Sequence, residues 1–164
     1  MKKVIVIGCP GGGKSTFARR LQKVTGLPIY HLDMIWHKPD RTTVSREAFD
    51  CRLGEILKTP KWIIDGNYGR TLDMRLKECD TVFLLDLPVD VCLAGAQARI
   101  GKKRPDMPWV EEEMDEEFKE WILNFAQNEM PAVYTAIEKY ADKQIFVFRS
   151  REEIDAFWIE DRKG

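Results

Sequence analysis

Four glycines, a lysine and a hydroxyl side chain stand together near the start of the chain. The segment VIVIGCPGGGKST contains the pattern Gly8-x-x-x-x-Gly13-Lys14-Ser15 between an apolar run and a helical pattern. Glycines allow main-chain N–H groups to approach an anion, and the first turn of a helix adds unpaired donors. The lysine supplies a cation for the outer phosphates, and the serine hydroxyl is a ligand for Mg²⁺. The pattern therefore predicts a phosphate-binding loop for ATP with Mg²⁺. The residues expected to bind the nucleotide here are Gly8, Cys9, Pro10, Gly11, Gly12, Gly13, Lys14, Ser15 and Thr16.

The loop by itself does not distinguish a GTPase, a motor and a small kinase. No Asn-Lys-x-Asp motif occurs to recognise guanine, and no Asp-x-x-Gly follows the third predicted strand, so a GTPase is disfavoured. The chain has 164 residues, which is short for a motor or an AAA-type machine. The third strand is followed instead by the segment DGNYGR, residues 65–70. A small kinase is therefore favoured.

This segment resembles the Asp-Gly-Phe-Pro-Arg turn of adenylate kinases, with Asn67 and Tyr68 as departures from it. A larger set of segments resembles the bacterial topology-modulation proteins, a group related to adenylate kinases, over nearly the whole chain. The resemblance implies a kinase-like site, and the name of the group implies a link to DNA topology. The helical insert that binds AMP in adenylate kinases is compressed here into 35–58, which argues against AMP itself as the acceptor. The matching segments are HLDMIW (31–36), WIIDGNYGR (62–70), Arg75-Leu76, LDLP (85–88) and GKKRPD (101–106).

The resemblance also implies roles for acidic residues that follow predicted strands. Asp65 is expected to hold Mg²⁺ together with Ser15, through water; the alternative is a turn-forming aspartate before a glycine. Asp86 is the other candidate for this carboxylate, although Asp-Leu-Pro equally indicates a helix start. Asp33 lies where open α/β sheets place their ligands, and an acid there contacts the accepting group in related small kinases. We therefore expect Asp33 to orient or deprotonate an acceptor hydroxyl, against the alternative of a simple loop aspartate.

Further side chains are candidates to bind the acceptor. Trp36 and Tyr68 could stack on a base or sugar, or equally cover the core beside a neighbouring helix. Arg70 and Arg75 follow the third strand closely and are placed to meet a phosphate of the acceptor, if it has one. His31 is expected to pack within its strand rather than to exchange protons.

A basic segment, GKKRPDMP at 101–108, is bounded by glycine and proline. With Arg99 before it and Arg104 within it, this segment resembles a shortened adenylate-kinase lid over about 101–118. Such a lid could close on the triphosphate and exclude water; the alternative is a solvated basic turn. Phosphoryl transfer depends on electrostatic positioning, which favours planar guanidinium groups. The residues expected to be catalytic are Lys14, Asp33, Arg99 and Arg104.

The elements that must position these residues alternate between short β-branched runs and helical patterns, which is typical of a parallel α/β sheet. We predict a single domain over 1–164 with a three-layer P-loop NTPase fold: a five-stranded parallel sheet, helices on both faces and a small lid. Arg149 follows the last strand, where this fold usually passes the adenine, and is expected to contact the nucleotide. The predicted strands are 3–7, 28–32, 62–65, 81–86 and 145–148. The predicted helices are 14–25, 45–58, 70–78, 88–100, 111–128, a segment after a break at Pro131 that runs to 140, and a last helix opened by the capping box Ser150-x-x-Glu153.

Composition limits the possible partners. The 26 basic and 27 acidic residues give a net charge of −1, which argues against nucleic acid as a tight ligand. No apolar run approaches the ~20 residues of a membrane span, and the apolar stretch near the start is shorter than the ~7–15 residues of a signal core. Four dispersed cysteines indicate free thiols rather than a zinc site or disulfides. We expect a cytoplasmic protein with no membrane partner, and a monomer.

These features together predict a kinase that passes the γ-phosphoryl group of ATP to a small acceptor, a nucleotide or a nucleoside-like molecule. The alternative is an ATP-dependent regulatory protein with slow hydrolysis, linked to DNA topology. In that case the basic segment would contact a phosphate backbone.

Overall fold

The computed structural model describes residues 1–163 as a five-stranded sheet with helices around it; Gly164, the last residue of the predicted domain, lies outside the described residues. The strand order is β2-β3-β1-β4-β5, and every neighbouring pair is parallel. Every residue of β4 is buried, so both of its faces are covered, as in a three-layer α/β fold. The predicted fold class is confirmed. The strands are β1 Lys3–Gly8, β2 Ile29–His31, β3 Trp62–Asp65, β4 Thr81–Leu85 and β5 Gln144–Phe148.

The helices follow the strands in the alternating order that the sequence predicts. A single 3₁₀ turn, Gly69–Thr71, precedes α4. No helix within residues 1–163 is both long enough and apolar enough to cross a membrane. The helices are α1 Lys14–Thr25, α2 Leu32–Trp36, α3 Arg46–Leu57, α4 Leu72–Glu78, α5 Val89–Ala98, α6 Glu116–Asn128, α7 Met130–Glu138 and α8 Arg151–Lys163.

Two parts of the secondary-structure prediction are wrong. The helix predicted from 111 begins at Glu116, because the Asp115 side chain accepts a hydrogen bond from Glu117 N–H and caps it there. The preceding segment turns back instead, and the Gly101 N–H donates to the Glu111 carbonyl at 2.7 Å. The short helix α2 is absent from the sequence prediction; it begins directly after β2 at Leu32, which is fully buried.

The loop between β1 and α1 is held by close backbone packing against α5. A Cβ atom on Gly95 would lie 2.0 Å from the Gly11 carbonyl oxygen, and a Cβ on Gly11 would lie 2.0 Å from the Cys92 carbonyl oxygen. Gly11 also has a φ of +80°, which favours glycine. Both glycines are therefore required for α5 to touch the loop.

We expect Gly95→Ala to lower the free energy of unfolding by about 2 kcal/mol or more, because the added methyl group overlaps the loop backbone. Gly54→Ala is the matched control: Gly54 is also within a helix, but a Cβ atom added there would meet no neighbouring group within 4 Å. That change should raise stability by up to about 1 kcal/mol through helix propensity. Urea denaturation of both variants measures the difference, and equal effects would contradict the packing argument.

Candidate functional site

The loop from Gly8 to Ser15 closes around its own lysine. The Gly8 N–H donates to Asn67 Oδ1 at 3.0 Å, which ties the loop to the turn after β3. The Lys14 ammonium donates to the Cys9 carbonyl at 3.3 Å. Burial lowers the pKa of Lys14, although the negative charges of Asp65 and Asp33 act to raise it. An anion bound at this point would stabilise the charged lysine.

A first cavity, of about 480 Å³, lies over this loop and is called the phosphate cavity below. Basic side chains outnumber acidic ones in its walls, so its chemistry suits an anion. From the predicted nucleotide-binding set, five residues line it: Gly11, Gly13, Lys14, Ser15 and Thr16. Further basic residues also line it: Arg99, Lys102, Lys103, Arg104 and Arg151.

The other predicted nucleotide-binding residues lie elsewhere. Gly8, Cys9 and Gly12 are buried within the loop itself, and Pro10 lines a second cavity. Arg149 is exposed after β5 and lines neither cavity. Its predicted contact with the nucleotide stays a prediction.

The second cavity, called the acceptor cavity below, has a volume of about 850 Å³. It lies against α2, the turn after β3, the segment 99–115 and α6. Four side chains line both cavities and so form the wall that the two share. They are Lys14, Asp33, Arg99 and Arg104, the four residues predicted to be catalytic.

Asp33 in this wall is bonded to a neighbour that also lines the acceptor cavity. The Tyr68 hydroxyl donates to Asp33 Oδ1 at 2.5 Å. Burial and the Asp33 charge both raise the pKa of Tyr68, so the phenol stays protonated as a donor. Trp36 meets Tyr68 edge-on, with ring centroids 6.4 Å apart, and also packs against Phe49. Trp36 and Tyr68 therefore cover the core, as one of the two predicted alternatives has it, and also line the cavity; stacking on a base or sugar stays a prediction.

The two candidate magnesium carboxylates occupy different places. Asp65 lines the phosphate cavity with Ser15, whereas Asp86 lines neither cavity and accepts a hydrogen bond from the Tyr134 hydroxyl at 2.5 Å. A hydroxyl and a carboxylate are hard oxygen donors of the kind Mg²⁺ prefers, so Ser15 and Asp65 fit this ion. Burial raises the pKa of Asp65, while His31 and Lys14 act in the opposite direction.

His31 has a contact that the sequence analysis missed. Its Nδ1 is hydrogen-bonded to Asp65, and its side chain is largely buried. Burial lowers the pKa of His31, but the hydrogen bond and charge of Asp65 outweigh this, and the pKa is raised. The parallel register pairs these two residues directly across β2 and β3. Only that register, which the sequence does not show, could have revealed the contact.

The two arginines predicted to meet an acceptor phosphate line neither cavity. Arg70 pairs with Asp50 at 2.7 Å on the surface. Arg75 is fully buried and donates to the carbonyls of Gly66, Asn67 and Tyr68. Arg75 therefore holds the turn after β3 in shape, and the role of both arginines toward an acceptor stays a prediction.

The segment 99–115 covers both cavities and contains no helix or strand. Arg104 lies 3.7 Å from Asp106 and 3.8 Å from Glu111, with its side chain only 13% exposed. Among residues 1–163, Arg99 Nε and Arg104 Nη1 are buried without a hydrogen-bond partner. Buried guanidinium groups with spare donors suit the binding of anionic oxygens.

Arg151 is a second residue that the sequence analysis missed. It begins α8, lines the phosphate cavity and donates from Nη1 to the Gly12 carbonyl at 3.1 Å. The signal that could have found it is the helix start after β5, since the carboxyl ends of parallel strands share one edge of the sheet.

No protein-family model matches the chain. The adenylate kinases of Thermotoga petrophila and Thermotoga maritima are each 30% identical to it over 88 residues. The match covers 52% of this chain and 39% of each relative, so it spans about two fifths of the length of those relatives.

Solved shikimate kinases have a similar fold. The enzyme from Acinetobacter baumannii, in complex with shikimate, has a TM-score of 0.64 at 15% identity, covering 98% of this chain and 94% of its own. The enzyme from Bacteroides thetaiotaomicron has a TM-score of 0.57 at 17% identity, covering 93% and 92%. At these identities the likeness shows the fold, which is that of P-loop kinases. The chain therefore shares the fold of these kinases, and the narrower resemblance to topology-modulation proteins stays a prediction.

We expect Arg151→Ala to weaken ATP binding by about tenfold, because a charge-assisted contact over the phosphate loop is lost. Arg149→Ala, measured in parallel by calorimetric titration, tests the arginine that the sequence analysis favoured. Arg52→Ala, on the surface of α3, is the control for net charge. An unchanged affinity in Arg151→Ala would remove this residue from the site.

Proposed function

We propose that the protein transfers the γ-phosphoryl group of ATP to a hydroxyl group of a small acceptor. One observation carries the proposal: the four candidate catalytic side chains form the wall shared by an anion-suited cavity and a larger cavity. Phosphoryl transfer requires the donor and the acceptor oxygen in line, so two cavities that meet at the reacting groups are the arrangement it needs. The similarity to adenylate kinases supports it.

The donor would occupy the phosphate cavity. Main-chain N–H groups of the loop and the Lys14 ammonium would hold the β- and γ-phosphates, with Arg151 beside the loop at Gly12. Ser15 and Asp65 are the residues that would hold Mg²⁺, which neutralises charge on the phosphates when bound. A cluster of guanidinium groups completes the neutralisation, since Arg99 and Arg104 face the same space.

The acceptor would reach the shared wall from the other side. Its hydroxyl oxygen attacks the γ-phosphorus, the bond to the β–γ bridging oxygen breaks, and ADP leaves. The Asp33 carboxylate orients the hydroxyl and takes its proton, and the hydrogen bond from Tyr68 fixes the carboxylate. The segment 101–118 would act as the lid of a single domain, carrying Arg104 over the transferred group. The sequence prediction of a nucleotide or nucleoside-like acceptor in the cytoplasm belongs to this proposal.

A second candidate function is favoured by one observation. Lys102 and Lys103 are exposed on the lid and could contact a nucleic-acid backbone, as an ATP-dependent regulator linked to DNA topology requires. Such a protein would hydrolyse ATP slowly and without an acceptor. The acceptor cavity favours the kinase, because a regulator has no need of an 850 Å³ space beside the γ-phosphate.

The proposal is tested by Lys14→Ala and Asp33→Asn, assayed for ADP production with ATP, Mg²⁺ and a panel of nucleosides, nucleotides and other alcohols. Lys14→Ala should lose ATP affinity, because it removes the cation for the phosphates. Asp33→Asn should keep the Kd for ATP but lower kcat by about 10²- to 10⁴-fold, the usual contribution of a general base. The controls are Lys23→Ala on α1 and Asp142→Asn, both exposed and outside the cavities. Turnover that never depends on an acceptor would favour the regulator instead.

The lid arginines separate the two candidates further. Arg99→Ala or Arg104→Ala should lower kcat by about 10²-fold or more with little change in ATP affinity, as for groups that meet charge in the transition state. Lysine at either position should not restore the rate, because it lacks the planar fork. Lys58→Ala with Lys61→Ala, both exposed and outside the two cavities, is the control for lost basic charge and should leave kcat unchanged. The lid assignment fails if kcat survives in both arginine variants while the salt dependence of DNA binding flattens.

A further inference from the structure

The acceptor cavity carries information about the acceptor itself, and an inference about that acceptor rests on the proposed function. An acceptor with a phosphate or carboxylate needs cations that the triphosphate does not already occupy. Lys14, Arg99 and Arg104 lie on the shared wall, where they would meet the γ-phosphate. Arg70 and Arg75 are engaged elsewhere, by Asp50 and by backbone carbonyls. These five basic side chains are therefore committed to the triphosphate or to other partners.

Away from the shared wall, the cavity is acidic. Arg41 is the one lysine or arginine within residues 1–163 that lines it there, and Arg41 lies over the Trp109 ring, 5.9 Å from the centroid. The acidic side chains that line the cavity away from the shared wall include Glu112, Glu113 and Glu129, all three exposed. An anionic acceptor would be repelled from these side chains, while a cationic group would be attracted to them.

Aromatic side chains also line the acceptor cavity. Trp36, Tyr68, Trp109, Phe118 and Trp121 all line it, and Tyr68 is hydrogen-bonded to Asp33. Trp109 meets His37 edge-on at 5.0 Å, so its ring is held in place. Aromatic walls bind planar apolar bodies and also favour an adjacent cation through their π faces. A volume of about 850 Å³ is within the usual range for a small-molecule site.

We infer that the acceptor is an alcohol with an aromatic or other planar body that carries an ammonium group and no phosphate or carboxylate. Its hydroxyl meets Asp33, its body lies between the aromatic side chains, and its ammonium lies near Glu112 and Glu113. In the reaction the hydroxyl oxygen gains the γ-phosphoryl group, its proton passes to Asp33, and ADP carries away the bridging oxygen. The product is a phosphate monoester of the amino alcohol.

Three related probes test the charge preference by calorimetric titration of the protein loaded with a non-hydrolysable ATP analogue and Mg²⁺. Phenylalaninol, phenylpropanol and phenyllactate share a phenyl ring and a hydroxyl but are cationic, neutral and anionic. Affinity should fall in that order, with about a tenfold difference between the ends, as expected for two partly exposed carboxylates. Adenosine and AMP are a second pair, in which the nucleoside should bind better.

Variants assign the preference to its residues. The double change Glu112→Gln with Glu113→Gln should remove most of the difference between phenylalaninol and phenyllactate. Glu120→Gln, an exposed carboxylate of α6 outside the cavity, should leave it unchanged. Trp109→Ala should weaken all three probes, phenylalaninol the most because it also loses a cation–π contact, and Trp109→Phe should restore part of that binding.

The inference is overturned if phenyllactate or AMP binds at least as well as its cationic or neutral counterpart, or if the double glutamine variant keeps the full preference. Its failure is distinct from failure of the proposed function. Tight binding of the ATP analogue together with phosphorylation of AMP would keep the kinase and reject the amino alcohol. If the unaltered protein does not bind the ATP analogue, the proposed kinase function itself is rejected.

Discussion

Parallel pairing of the central strands determines where every group of the site lies. The register pairs Val6 of β1 with Asp65 of β3, and Asp65 in turn with His31 of β2. The phosphate loop, the candidate magnesium carboxylate and the helix that carries Asp33 therefore all leave the sheet at one edge. Because residues 11 and 95 are glycines, α5 can pack directly against the loop. If either constraint failed, the shared wall between the two cavities would not form.

Local patterns predict much of this frame, because they depend on neighbours in the chain. The apolar run predicts Trp62–Asp65 to the residue, and the glycine that ends the helical pattern predicts Lys14–Thr25. The start of α6 is fixed by the local cap at Asp115, a signal that the prediction overlooked, whereas the helix α2 depends on the burial of Leu32 and was not predictable in this way. The same holds for His31, Arg75 and Arg151: their partners lie across strands or turns, and no spacing in the sequence shows that Arg75 is buried against carbonyls.

The similarity to known kinases and the chemistry of the cavities give different kinds of information. The adenylate kinases match about half of the chain, and the shikimate kinases share its fold at 15% and 17% sequence identity. What these comparisons show in common is the fold. The segment 99–115 and α6 supply most of the aromatic and acidic side chains that line the acceptor cavity. The charges and aromatic groups of the two cavities are therefore evidence from this chain's own residues, separate from the likeness of fold.

The contact of α5 with the loop also connects the two cavities through the backbone. Gly95 touches the loop at Gly11, and Arg99 lies four residues further along, about 6 Å away at 1.5 Å per residue. A helix segment this short is stiff, so any movement of the loop would carry the backbone of Arg99 with it. Gly11 lines the phosphate cavity and Arg99 lines both cavities, so a change of shape in one cavity would be transmitted to a wall of the other.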